Sequence, residues 1–298
     1  MSSPIAAVIN ASAGNGTPES VFGGLAGLFR SAGLEAKVTL ARSAAEFSAA
    51  LERAIAEAPA TIVAGGGDGT ISSVASRLVG SAIALGVLPL GTLNHFARDL
   101  RIPAEPGDAV RTIAAGNVAT VDVGEVNGRF FVNNASLGIY PEIVRGRERQ
   151  QRRLGSGKWP AFLHATLAVL RRYPYLDVRL TVDGKELRRR TPFVFVGNNE
   201  YCMEGLGMGE RACLDAGRLN IYLARHTGRL GLLKLAFMAL LGRLHEVPDL
   251  EVFNAAELLV ETRHRSIRVA TDGEVSRMEA PLRFRIRPGA LRVIVPLP

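Results

Sequence analysis

Residues 65–70 read Gly-Gly-Gly-Asp-Gly-Thr, directly after the apolar run Thr61-Ile62-Val63-Ala64 and directly before Ile71-Ser72-Ser73-Val74-Ala75. Glycine admits backbone conformations closed to other residues and lets a ligand approach the main chain. A helix starting behind such a turn offers unpaired N–H groups and the positive end of its dipole, a combination that suits phosphate. Asp68 adds a carboxylate to that cradle, and a carboxylate beside phosphates is repulsive unless a cation stands between them. The turn therefore points to a nucleotide held through its phosphates, with Mg²⁺ nearby and Asp68 as its candidate ligand.

Two further segments have the composition of ligand-binding turns. Asn10-Ala11-Ser12-Ala13-Gly14-Asn15-Gly16 follows a short apolar run, and Gly91-Thr92-Leu93-Asn94-His95-Phe96-Ala97-Arg98 opens a helix. Thr92 is suited to cap that helix. Asn94, a mediocre helix former, can offer its amide to a phosphate or a nucleobase. Leu93, Phe96, Ala97 and Leu100 form its expected core-facing stripe.

The elements that must carry these turns alternate over the first ~120 residues. Strands are expected at 5–9, 35–40, 61–64 and 83–90, with helices near 19–32, 44–58 and from the glycine turn to Val79. This order predicts a Rossmann-like parallel sheet with helices on its faces, and the three turns then share the sheet's carboxyl edge. After Val121 the pattern becomes period-two, in runs at 129–133, 177–182, 193–196, 219–223, 257–261, 266–270 and 282–287. Two Asp-Gly turns, at 183–184 and 272–273, punctuate them. Helices are expected at 159–172 and 230–244. The division is an α/β nucleotide-binding domain over 1–122 and a β-sandwich domain over 123–298.

Composition narrows the partners. The 298 residues carry a net charge of +8, with basic clusters between Arg145 and Lys158 and at 188–190, so acidic partners are favoured. No zinc-ligand spacing or RNA-reading aromatic motif accompanies the charge, which disfavours nucleic acid and leaves anionic lipid and phosphorylated ligands. The apolar stretch 230–244 is shorter than the ~20 residues a membrane span needs. Cys202 and Cys213 show no metal-type spacing and read as buried hydrophobes in a reduced, cytoplasmic chain. The beginning, Met1-Ser2-Ser3-Pro4, lacks the basic and apolar regions of a signal peptide.

Together the motifs resemble the diacylglycerol kinase catalytic-domain family in its bacterial lipid kinase form, related to sphingosine and ceramide kinases. The resemblance spans nearly the whole chain. Gly66-Gly67-Asp68-Gly69-Thr70 matches the family signature and 91–98 matches its second motif. Val121-Asp122-Val123-Gly124 with Phe131-Val132-Asn133-Asn134 resembles the entry into its β-rich domain, and Asp272-Gly273-Glu274 its acidic turn. NAD kinases share the glycine turn but not the helix entrance at 91–98, so the lipid branch is preferred to a NAD kinase-like enzyme.

The resemblance implies an ATP site between the domains and transfer of the γ-phosphate to a lipid hydroxyl, as in phospholipid metabolism, at an anionic membrane surface. It assigns phosphate binding to Gly66, Gly67, Gly69 and Thr70, and work with Mg²⁺ to Asp68. Nucleotide contacts fall to Asn10, Thr39, Thr92 and Asn94. Because the acceptor hydroxyl must lose a proton, Asp272 or Glu274 is expected to be the general base, and the sequence leaves both open. Departures are also present. Ser72 and Ser73 stand where the family commonly has Asn-Glu, and Ala216 stands where many bacterial members place an aspartate that ligates a structural Mg²⁺. That accessory site is expected to be absent or weak, and the substitutions also suit a nucleotide- or lipid-binding regulatory protein that has lost catalysis.

Overall fold

The computed structural model describes residues 5–11, 19–138, 141, 175–201, 211, 213–224 and 250–297. The helices expected at 159–172 and 230–244, the basic run at 145–158 and Cys202 lie outside those residues. The chain forms two compact units, Met1–Val123 with Pro288–Pro298, and Gly124–Arg287.

In the first unit, strands β1 (Ile5–Asn10), β2 (Ala36–Ala41), β3 (Thr61–Gly66) and β4 (Ala84–Pro89) alternate with helices α1 (Glu19–Ser31), α2 (Ala44–Ala56) and α3 (Asp68–Leu78). Helices α4 (His95–Asp99) and α5 (Pro106–Ala115) follow, then β5 (Val118–Val126). The strands pair in parallel in the order β2-β1-β3-β4. Their apolar runs are buried because helices cover both faces, as parallel sheets require; Ile9, Val63 and Leu85 are fully enclosed. Helix α2 shows the local logic. Ser43 Oγ accepts from the Glu46 N–H at 3.2 Å and Glu46 Oε2 accepts from the Arg42 N–H at 2.9 Å, while Phe47, Leu51 and Ala54 point inward.

Because β1 pairs with β2 on one side and β3 on the other, the strand order reverses between β1 and β3. That reversal opens a crevice at the carboxyl ends, the usual ligand position of such sheets. The closing residues Pro288–Pro298, which the sequence reading assigns to the second domain, belong to this unit. Val293 pairs in parallel with Leu85, and the Gly80 N–H donates to the Ala290 carbonyl at 2.8 Å.

The second unit is an antiparallel β-sandwich. Its strands are β6 (Arg129–Phe131), β7 (Asn134–Gly138), β8 (Leu176–Val182), β9 (Lys185–Thr191), β10 (Phe193–Asn198) and β11 (Leu219–Ala224). They continue with β12 (Leu250–Ala255), β13 (Glu257–Thr262), β14 (Ser266–Thr271), β15 (Glu274–Glu279) and β16 (Leu282–Ile294), the last of which passes into the first unit at Pro288. One sheet orders β12-β11-β10-β7-β14-β15; the other runs β16-β13-β8-β9, with β5 beside β16 and β6. Phe131, Leu137, Leu180, Val196, Ile221, Val260 and Phe284 form the core from both sheets. Strand β9 was not expected: Lys185-Glu186-Leu187-Arg188-Arg189-Arg190 has little β propensity. Hairpin pairing to β8 and the ion pair of Arg189 with Glu251 (3.0 Å) hold it. Cys213 is exposed, against the expectation of burial.

Candidate active site

The glycine turn is tighter than its sequence suggests. Strand β3 runs through Gly66 and α3 begins at Asp68, so Gly67 alone separates them. Gly67 caps the helix without any side-chain bond, in extended backbone (φ −86°, ψ −178°). The N–H groups of Thr70 and Ile71 both donate to the Gly67 carbonyl, at 2.9 and 3.0 Å. The amides of Gly67, Asp68 and Gly69 have no acceptor among the described residues, which leaves three donors at the positive end of an eleven-residue helix. Asp68 occupies the first helical position, half-buried, and its carboxylate makes no hydrogen bond or ion pair among the described residues.

The glycines divide by what surrounds them. A Cβ at Gly91 would lie 2.5 Å from the Cα of Gly67, and one at Gly66 would lie 2.6 Å from Thr70 Oγ1. Those two are required by the packing of the turns themselves. A Cβ at Gly69 would meet nothing within 4 Å, so the fold does not need a glycine there, and the open side is where a ligand would approach the backbone.

Neighbouring turns join this edge. Asn10, at the end of β1, donates from Nδ2 to Thr70 Oγ1 at 3.0 Å, tying the first strand to the glycine turn. Asn94 adopts a left-handed conformation (φ 51°) and turns its amide inward. Its Oδ1 accepts from the Gly91 N–H at 3.0 Å, and its Nδ2 donates to the carbonyls of Gly91 (2.9 Å) and Pro89 (3.2 Å). The carboxamide expected to face a ligand is thus used to fold the turn. Thr92 does not cap: the cap position is Asn94, because the Asn94 bridge fixes the backbone before α4 starts. Thr92 is exposed, and Leu93, expected in the core stripe, is 59% exposed, while Phe96 and Ala97 are buried. Thr39 pairs with Val8, two residues short of the sheet edge, and is not brought together with the other candidates.

In the second unit the acidic turn is a two-residue hairpin. Thr271 pairs with Glu274, and Asp272 and Gly273 both have positive φ (47° and 87°), as a type I′ turn demands. The Asp272 carboxylate accepts three backbone N–H bonds: Oδ2 from Val132 at 2.8 Å, and Oδ1 from Asn133 at 2.9 Å and Asn134 at 3.0 Å. The Asp183-Gly184 hairpin uses the same device, since Asp183 Oδ1 accepts from Ala256 (3.1 Å) and Glu257 (3.0 Å). What distinguishes the turns is the next residue, Lys185 in one and Glu274 in the other. Glu274 is exposed, and its carboxylate makes no hydrogen bond or ion pair among the described residues.

The opposite edge of segment 132–134 is also held. Arg211, 5% exposed, donates to the Val132 carbonyl (2.5 Å), the Asn198 carbonyl (3.1 Å) and Asn133 Oδ1 (3.0 Å). Asn198 Nδ2 donates to the Val132 carbonyl and the Tyr201 hydroxyl to the Asn133 carbonyl, each at 2.9 Å. A guanidinium this deep is tolerable only with several good acceptors. Sequence reasoning missed this network; its only signal was two Asn-Asn pairs, 133–134 and 198–199, at the ends of apolar runs. Asp215 and Ala216 are both exposed in the turn before β11. Among the described residues no three His, Cys, Asp or Glu side chains are grouped to hold a metal.

Comparison with known proteins follows the two units. The diacylglycerol kinase catalytic domain matches residues 4–126, and a C-terminal NAD kinase beta sandwich-like domain, named for YegS, matches residues 141–295. A protein named probable lipid kinase YegS-like from Pseudomonas aeruginosa is 31% identical over 274 residues, covering 90% of this chain and 87% of the relative. A diacylglycerol kinase from Mycobacterium tuberculosis is 29% identical over 257 residues, covering 83% and 80%. The crystal structure of a diacylglycerol kinase from Bacillus anthracis superposes with a TM-score of 0.69 at 20% identity, over 98% of this chain and 96% of that one, a likeness of fold.

Proposed function

The chain belongs to the diacylglycerol kinase catalytic-domain family of lipid kinases, and from that premise we propose that it transfers the γ-phosphate of ATP to a lipid hydroxyl. The observation that carries the proposal is the amino end of α3: three backbone amides without acceptors among the described residues, beside the half-buried carboxylate of Asp68. Phosphate oxygens satisfy those donors, and the room at Gly69 lets them approach. Mg²⁺ commonly binds through one or two carboxylates plus the substrate's phosphates, so Asp68 alone is an adequate protein ligand, and the ion supplies charge neutralisation at the phosphates. Asn10 and Thr70 brace the cradle through their mutual bond, and Asn94 shapes the turn beneath it. Thr92, exposed beside the turn, is a secondary nucleotide contact in this reading, and Thr39, two residues short of the edge, has no role in it.

Transfer breaks the bond between the γ-phosphorus and the oxygen that leaves with ADP, and forms one to the acceptor oxygen, whose proton must go to a base. Asp272 already accepts three amides, which occupy most of a carboxylate's lone-pair directions. Glu274 is open. We therefore assign proton acceptance to Glu274 and the positioning of 132–134 to Asp272. The relative named diacylglycerol kinase supports diacylglycerol as the acceptor. The net charge of +8 supports peripheral contact with an anionic membrane from the cytoplasm, and among the described residues no helix is long and apolar enough to cross one.

The description of the second matched domain as NAD kinase-like makes NAD the acceptor to set against lipid. The test is transfer of labelled γ-phosphate from ATP to diacylglycerol, phosphatidylglycerol, sphingosine and NAD. Label in the organic phase upholds the proposal. Label on NAD refutes it, and tight ATP binding without turnover favours the regulatory reading.

A further inference from the structure

Segment 132–134 is gripped from two sides, and the grips fall on the same peptide groups. In a trans peptide the carbonyl and the N–H point in opposite directions. Between Val132 and Asn133, the Val132 carbonyl accepts from Arg211 Nη1 at 2.5 Å and from Asn198 Nδ2 at 2.9 Å. The Asn133 N–H of that peptide donates to Asp272 Oδ1 at 2.9 Å. Between Asn133 and Asn134, the Asn133 carbonyl accepts from the Tyr201 hydroxyl and from the Asn198 N–H, both at 2.9 Å. Its N–H, that of Asn134, donates to the same Asp272 oxygen at 3.0 Å. Two consecutive peptide groups therefore lie between donors from Asn198, Tyr201 and Arg211 and one carboxylate on the β14–β15 hairpin.

The charges favour this order. The Arg211 guanidinium draws electron density onto the Val132 carbonyl oxygen, which makes the Asn133 N–H a better donor to the carboxylate. Hydrogen bonds in series polarise one another in this way, most of all away from water. Arg211 and Asp272 are thus opposite charges joined through a peptide group. Tyr201 is set by its ring, which meets Phe195 edge-on at 5.9 Å and lies 5.7 Å from the Arg211 guanidinium. At the far end of the relay is the hairpin. The Asp272 N–H donates to the Asn134 carbonyl at 2.8 Å, so the first turn residue is fixed through its main chain and its side chain together. Glu274 pairs with Thr271 in the same hairpin, and its carboxylate has no partner among the described residues. Its place is set by the hairpin backbone, and so by Asp272.

We propose that Arg211 and Tyr201 are positioning residues for proton acceptance. Through the two peptide groups they hold Asp272, and through Asp272 they hold Glu274 where the acceptor's proton is taken. The inference rests on the reading of Glu274 as the base and adds the part of the fold that keeps it in place.

The test is a double-mutant cycle in the full chain, with ATP, Mg²⁺ and dioctanoylglycerol. Tyr201→Phe is the perturbation, because the ring packing stays, the Asn133 carbonyl keeps its bond from the Asn198 N–H, and the buried charge of Arg211 is untouched. It lowers kcat by about 3- to 10-fold, the worth of one neutral hydrogen bond, with KM for ATP and for the lipid unchanged. In a Glu274→Gln background the same substitution causes no further loss, since the positioned group is already gone. A merely structural tyrosine lowers Tm and either leaves kcat unchanged or lowers it by the same factor in both backgrounds. Either result overturns the inference and leaves the kinase reading intact. Full kcat in Glu274→Gln alone removes the base assignment, and the inference with it, while phosphate transfer to lipid stands. If the wild type transfers no phosphate to dioctanoylglycerol, the kinase reading falls and the amide proton of Asn134 is followed by NMR. An upfield move in Tyr201→Phe upholds the relay, and an unchanged shift overturns it.

Discussion

Exchanging the two acidic residues of the β14–β15 hairpin for their amides separates positioning from proton transfer. In Asp272→Asn the charge is lost and one of two acceptor oxygens becomes an N–H₂ group that faces backbone donors. Either the Val132 amide or the Asn133 and Asn134 pair then loses its acceptor, in bonds now 2.8–3.0 Å long. A hydrogen bond to a charged group is worth about 1.5–3 kcal/mol, so the variant is destabilised by roughly 2 kcal/mol or somewhat more. For a unit of this size that lowers Tm by about 4–8 °C. Glu274 is exposed and makes no partner among the described residues, so Glu274→Gln leaves Tm unchanged while kcat falls by about 10²–10⁴, the usual contribution of a general base. Differential scanning calorimetry and steady-state turnover on the same preparations read both effects. The reasoning fails if Asp272→Asn keeps the wild-type Tm, or if Glu274→Gln retains full kcat.

Three other outcomes follow from the sites. Gly69→Ala meets no neighbour and sits in the first turn of a helix, so Tm holds or rises while KM for ATP increases at least about tenfold; Gly91→Ala instead drives a methyl into Gly67 and costs about 1–3 kcal/mol by thermal melting. Calorimetric titration with Mg²⁺ in the absence of nucleotide finds no tight site, because the turn at Asp215 offers one exposed carboxylate beside Ala216; a micromolar site in the second unit would contradict this.

Much of this was legible in the sequence because it depends on local pattern. Apolar runs such as Thr61–Ala64, bounded by glycine, specify buried parallel strands wherever they fall, and their order alone gives the α/β unit and its carboxyl edge. The Asp-Gly dipeptides fix type I′ hairpins through their need for positive φ. What was not legible depends on partners far away in the chain. Nothing near Asp272 announces that its carboxylate will hold amides 140 residues earlier, and nothing near Arg211 announces its acceptors at Val132, Asn133 and Asn198. Asn94 shows the same limit at short range. Its type suits a ligand contact or an internal bridge equally, and only the left-handed backbone at that position decides for the bridge. Leu93 followed the helical stripe on paper but lies outside it, because the bridge delays the start of α4.

The most direct measurement of the central claim compares wild type with Asp68→Ala, using dioctanoylglycerol, ATP and Mg²⁺, and identifies the product by mass. The account predicts dioctanoyl phosphatidic acid from the wild type, none above background from Asp68→Ala, and a melting temperature lowered by no more than a few degrees in the variant, since the Asp68 carboxylate loses only its interaction with the positive end of α3. Phosphorylated lipid made at the wild-type rate by Asp68→Ala would contradict it.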